Sequence, residues 1–140
     1  MRIYITRSRF SHGIEESKLY KKAFDLIDVI NKIGHETVYK GEWHGYPEIY
    51  KAISSCNCLL AFTNKDTISS TWRAIEMTYA SKGVGAFEIV DFHIPVFLYT
   101  GIDNDDCMFL SGFVKWPDVY KLPIGIHSAA RKIESIMENI

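Results

Sequence analysis

Residues 58–63 read CLLAFT, an apolar run that stops at the polar stretch NKDTISS (64–70). Short runs without polar alternation belong to strands covered on both faces, as in a parallel sheet. Such a strand needs helices packed on both its faces. The flanking sequence offers them at 70–82 and near 47–56, where Pro47 suits a first turn. IPVFLY (94–99) repeats the buried-strand pattern, with Pro95 tolerated only at its start.

Farther out the alternation continues. ETVY (36–39) and RIYIT (2–6) read as short strands. Between them, 15–33 places Leu19, Ala23, Leu26, Ile27, Ile30 and Ile33 on one helical face, with Gly34 as a C′ residue. GVGAFEIVDFH (83–93) is too long for a tight turn, and FVKW (113–116) is expected as a short last strand. Ile126, Ala130, Ile133, Met137 and Ile140 give a final amphipathic helix. Strands alternating with helices predict a parallel sheet with right-handed crossovers. The expected fold is an α/β, flavodoxin-like or Rossmann-like three-layer sandwich of four or five mostly parallel strands, forming one domain over 1–140. Ligands bind such sheets where strands end and helices begin, which points to loops 7–13, 40–46, 64–71 and 100–106.

Composition narrows the function. The 140 residues carry a net charge of −1 with no basic cluster, which disfavours nucleic acid as a partner. The opening MRIYIT lacks the layout of a signal peptide, and no apolar run is long enough to span a bilayer, so a cytoplasmic protein without membrane contact is expected. Cys56, Cys58 and Cys107 lack disulfide or zinc spacing and read as small core residues. None of the five histidines pairs in a metal-binding pattern, and Asp103, Asp105 and Asp106 lack EF-hand spacing, so neither a metal nor a cofactor is expected.

The stretch 64–80, NKDTISSTWRAIEMTYA, carries the chemistry. At about 100° per residue, Trp72, Ile75, Tyr79 and Ala80 share a helical face, and Glu76 lies in its middle. A carboxylate in an apolar stripe must be paired, hydrogen-bonded or reaching into a cleft. It stands near the helix N-terminus, where the macrodipole favours negative charge. One outcome is pairing with an Arg or Lys at the edge of the stripe. The other is a carboxylate aimed at the strand ends, as a glycoside-cleaving nucleophile requires. Ser69, Ser70 and Thr71 serve equally as helix caps or as hydroxyls for a phosphate or sugar.

Asp66, Ser69, Ser70, Glu76, Tyr79 and Ala80, followed by Pro95 and Val96, resemble the nucleoside 2-deoxyribosyltransferase family, in which a polar loop with Asp and a Ser/Gly turn precedes Glu-Leu-Gly-Tyr-Ala. Ser70, Trp72 and Glu76 also look like the Ser-x-Trp-x-x-x-Glu helix of TIR domains, some of which cleave NAD. The similarity covers roughly residues 2–100. It implies that Glu76 attacks C1′ of a ribose or deoxyribose, with Asp66 as a second catalytic carboxylate. It implies substrate contacts from Thr6, Arg7, Phe10, Asn64, Ser69, Ser70, Trp72 and Tyr79. The substrate would be a nucleoside, a nucleotide or an NAD-like molecule, and a homo-oligomer is implied as well.

Two departures stand out. Thr6-Arg7-Ser8-Arg9-Phe10 replaces the family's Gly- or Ala-containing turn, and Asp66 lies four residues farther from Glu76 than in the compact motif. Arg7 and Arg9 are candidates to grip a phosphate, and Trp72, Phe10 and Trp43 to stack on a base. His12 and His44 lie on the same expected edge. The bland readings are solvated loop charges, core aromatics and surface histidines. Besides an enzyme acting at an N-glycosidic bond, a non-catalytic module that binds a nucleotide-type ligand fits these residues.

Overall fold

The computed structural model describes residues 1–6, 14–40, 45–64, 71–85, 88–102, 115–116 and 118–140, with only the backbone of 14–17, 71 and 72. The described residues form five strands: β1 (Arg2–Thr6), β2 (Glu36–Val38), β3 (Cys58–Phe62), β4 (Val96–Tyr99) and β5 (Val119–Lys121). The helices are α1 (Ile14–Lys32), α2 (Tyr46–Ser54), α3 (Thr71–Lys82) and α4 (Ile126–Glu138). Every pairing is parallel, and the strand order is β2-β1-β3-β4-β5. The order reverses between β1 and β3, and the crevice beyond their C-terminal ends is where ligands bind in sheets of this type.

Side-chain alternation sorts the core into two clusters, one on each face of the sheet. Ile3 and Ile5, with Cys58, Leu60 and Phe62, pack against Leu19, Ala23, Leu26 and Ile30 of α1 and Ala129, Ala130 and Ile133 of α4. Tyr4, Leu59, Ala61, Val96 and Leu98 face Ile49, Tyr50 and Ile53 of α2 and Met77, Tyr79 and Ala80 of α3. Each Leu or Ile fully buried in this way is worth about 1.5–3 kcal/mol. The result is the three-layer α/β sandwich that the strand–helix alternation predicts, with all its described strands parallel.

Local details follow the residues. Gly34 ends α1 at φ +103°, and the amides of Gly34 and His35 turn back to the Asn31 and Ile30 carbonyls. Pro47 stands in the first turn of α2. Gly83, at φ +70°, closes α3 with its amide on Tyr79 O at 2.8 Å. The segment after it folds back, with an antiparallel bridge between Val84 and Ile89.

The last described strand lies at 119–121, beyond the FVKW (113–116) expected to form it. Lys115 and Trp116 form a turn ahead of it, while Phe113 and Val114 lie outside the described residues. The Trp116 ring lies 4.8 Å from Lys82 Nζ, a cation–π contact that ties it to the end of α3. Asp118, with a left-handed φ of 62°, redirects the chain into β5, and its carbonyl accepts the Val96 amide.

Candidate active site

Beyond a strand's last ladder pairing, backbone carbonyls and amides lose their partners, so this edge collects polar side chains. Thr6, Thr63, Asn64 and Thr100, at the C-terminal ends of β1, β3 and β4, are all buried. Tyr4 faces α2 and α3, so Thr6, two residues on, shares that face. By the same alternation, Thr63 follows Ala61 and Thr100 follows Leu98 onto it. The helix α3 crosses above this edge and brings Glu76 down onto β1.

Glu76 is 3% exposed. Its Oε2 accepts the hydroxyl of Tyr4, and its Oε1 accepts the hydroxyl of Thr6 at 2.9 Å. Burial, and then the neighbouring carboxylate, hold the Tyr4 phenol well above its ordinary range, so it keeps its proton as a donor. A contribution from the Lys40 backbone acts the other way without reversing the rise. Charge-assisted hydrogen bonds of this kind are about twice as strong as neutral ones. The carboxylate is therefore held at both oxygens from one strand.

Other groups stiffen the surroundings. Arg73, one turn before Glu76 and 2% exposed, donates from Nη1 to the Phe62 carbonyl at 3.0 Å. Asn64 Nδ2 donates to Thr100 O at 2.7 Å and so ties the ends of β3 and β4 together. Thr100 Oγ1 donates to Ile102 O. Among the described residues the buried Thr63 hydroxyl has no hydrogen-bond partner.

Among the expected site residues, the structure brings Thr6 and Glu76 into contact and places Asn64 at the same sheet edge. Tyr79 lies in an aromatic stack, 4.1 Å from Tyr50 and 5.7 Å from Phe92 between ring centroids, with its hydroxyl on Ser54. Asp66, Arg7, Phe10, Ser69 and Ser70 lie outside the described residues, as does the side chain of Trp72. Arg9, His12, Trp43, His44, Asp103, Asp105, Asp106 and Cys107 lie outside them too. Tyr4 and Arg73 are site residues that the motif reading passed over. The signal for Tyr4 was its spacing: it shares a strand face with Thr6, and a buried tyrosine hydroxyl needs a partner.

Among the described residues, no three metal-ligating side chains come together, and no helix is long and apolar enough to cross a membrane. A cavity of about 300 Å³ opens at the opposite edge of the sheet, beside Met1, His35, Asn57 and Glu134.

A fold relative exists among solved structures. The CMP N-glycosidase BcmB of Clostridium botulinum is similar with a TM-score of 0.57, and the match spans 96% of this chain and 99% of that one. At 17% sequence identity the likeness shows a shared fold. No protein-family model matches the chain, and no curated protein matches it.

Proposed function

We propose that this chain, as a single domain over residues 1–140, cleaves or transfers the N-glycosidic bond of a nucleoside or nucleotide, with Glu76 as the carboxylate that meets C1′. The observation that carries this reading is a buried carboxylate at the topological switch point, held at both oxygens by the Tyr4 and Thr6 hydroxyls. The fold shared with a CMP N-glycosidase supports it.

The chemistry follows from charge. As the C1′–N bond breaks, its electron pair leaves with the base and positive charge spreads over the sugar ring. A fixed carboxylate beside C1′ stabilises that charge and can form a bond to the carbon. Water, or a second base, then displaces the carboxylate from C1′. The departing base takes up a proton or leaves from an already cationic state, as in an NAD-like substrate. In this reading Asp66 is the second carboxylate. Arg7, Phe10, Asn64, Ser69, Ser70 and Trp72 surround the substrate, and a partner subunit of a homo-oligomer completes the pocket.

The test is release of free base from a panel of nucleosides, nucleoside monophosphates and NAD. Glu76→Gln keeps the shape of the side chain and removes its charge. We expect base release from at least one substrate and a loss of about a thousandfold or more in Glu76→Gln, in line with removal of a group acting on transition-state charge. Full activity in that variant would overturn the role of Glu76.

A second reading, a non-catalytic module for a nucleotide-type ligand, draws on one observation. Glu76 is 3% exposed, and a cavity of about 300 Å³ lies at the far edge of the sheet. Saturable binding of a nucleoside monophosphate with no base released, unchanged in Glu76→Gln, would select it.

A further inference from the structure

The strand β1 ends on Thr6, and the side chain of this residue is committed. Thr6 is wholly buried, and its hydroxyl donates to Glu76 Oε1 at 2.9 Å. We infer that Thr6 is a positioning residue, and that the oxygen it holds, Oε1, is the one that attacks the sugar. The inference rests on the reading of Glu76 given above and assigns work within that site.

The register of β1 separates the two oxygens. Tyr4 and Thr6 are two residues apart on one strand face, so their Cα positions differ by about 6.5–7 Å along the strand. Tyr4 is the deeper of the two, and Thr6 is the last residue of the strand. On this register we assign Oε1, bonded to Thr6 at the strand's end, as the oxygen nearer an approaching ligand, and Oε2, bonded to Tyr4, as the inner one. The two donors also differ in freedom. The Tyr4 hydroxyl is held on a buried ring. The Thr6 hydroxyl hydrogen turns about a single bond.

These differences fit a displacement at C1′. The new bond runs from Oε1 to C1′, the C1′–N bond breaks, and its electron pair leaves with the base. Oε1 becomes the ester oxygen and Oε2 the ester carbonyl. Tyr4 keeps an acceptor throughout, while Thr6 turns its hydrogen away from Oε1 and restores the bond when water or an acceptor base releases the sugar. Before attack, Thr6 stabilises the charged carboxylate and stops it rotating.

The acidity of Glu76 reads this contact directly, because a hydrogen bond to the charged form favours that form. Among the described residues, Tyr4 on β1 hydrogen-bonds it, and the buried Arg73 stands one turn before it on its own helix. On that face β3 presents Ala61 and Thr63, β4 presents Leu98 and Thr100, and α2 meets α3 through Tyr50 and Ser54 around Tyr79.

The test follows the Glu76 carboxyl by carbon-13 NMR titration in the full chain, with the resonance assigned by its loss in Glu76→Gln. Thr6→Val keeps the shape of the side chain and removes the donor, whereas Thr6→Ser keeps the donor. In Thr6→Val we expect the Glu76 midpoint to rise by about one pH unit, the change matching one lost charge-assisted bond. The acid limb of kcat should move with it, kcat below that limb should fall about tenfold, and KM should stay within about twofold. Thr6→Ser should restore both. A Thr6→Val midpoint at the wild-type value, or a change confined to KM, overturns the inference. If Thr6→Val does not fold, Thr6→Ala removes the same donor without the β-branch and is read in the same way. The titration needs no turnover, so an inactive protein with a shifted midpoint would sink the glycosidic reading and leave the Thr6 contact standing.

Discussion

A tyrosine in a covered strand has to send its hydroxyl somewhere, and in β1 that constraint and the needs of Glu76 answer one another. Leaving a buried hydroxyl or carboxylate without a partner costs about 1–3 kcal/mol, more for the charge. Joined, the two groups stiffen the site. Cys58 shows the opposite solution, a titratable side chain that is kept neutral. Burial first, then the nearby Cys56, push its thiol from 9.0 up to about 12. Below pH 9 the thiol is protonated both folded and unfolded. Between pH 9 and 12 the unfolded chain releases the proton and the folded one keeps it, so stability falls as pH rises. Each pH unit in that window costs about 1.4 kcal/mol. Cys58→Ala should lose stability at pH 8 by creating a small cavity, but its further loss from pH 9 to 11 should be shallower than wild type by about that slope. Urea denaturation at a series of pH values measures it, and parallel curves would show that Cys58 is ionised in the fold.

Among the elements, α3 carries the carboxylate, so whatever ends α3 also sets how Glu76 sits. Its closing Gly83 has φ +70°, and a Cβ there would lie 2.2 Å from Val90 O and 2.7 Å from Phe92 O. Gly34, which closes α1 at φ +103°, has open space around it. Both pay the left-handed penalty on substitution, about 1–2 kcal/mol for an ordinary L-residue. Only Gly83 adds a clash with backbone, which cannot step aside as a side chain can. Gly34→Ala should therefore cost about 1–2 kcal/mol in a urea melt, and Gly83→Ala more than about 3 kcal/mol. Equal costs would mean that the chain from Gly83 to Phe92 packs more loosely than its contacts indicate. The legibility of the sequence divides along the same lines. The helices α1 and α4 and the strands β3 and β4 were readable because long periodic or unbroken apolar patterns leave few alternatives. The strand β5 was misplaced because three residues carry little pattern, and because Trp116, which looked like strand, is held by Lys82. In the site, Glu76 stood out as a charge inside an apolar stripe. Tyr4 did not, since a tyrosine in a strand looks like any core aromatic until its hydroxyl has a direction. Thr6 was expected to touch substrate, and its hydroxyl meets the carboxylate.

On the scale of the molecule, the sheet grades from centre to edge. The strand β3 lies between β1 and β4, and all its residues are buried. The outer strands β2 and β5 have three residues each, with exposed Glu36 and Lys121. Short, charged edges discourage pairing with other chains, and they also leave the outer ladders weakly held. The groups that hold Glu76 come from β1, which is paired on both sides, and the helix carrying it packs over β1, β3 and β4. A carboxylate held in this way needs the frame beneath it to stay closed while the outer strands breathe. Native-state hydrogen exchange should therefore separate the strands. Amides of Leu59–Phe62 in β3 and of Tyr4–Thr6 in β1 should exchange only through global unfolding, with free energies that track the urea-derived stability. Amides of β2 and β5 should open through smaller, denaturant-insensitive fluctuations. If the Tyr4 and Thr6 amides exchange as fast as those of β2, β1 opens with the edge. Glu76 would then lose both hydroxyls at each opening, and a site that depends on a fixed carboxylate would have no rigid floor.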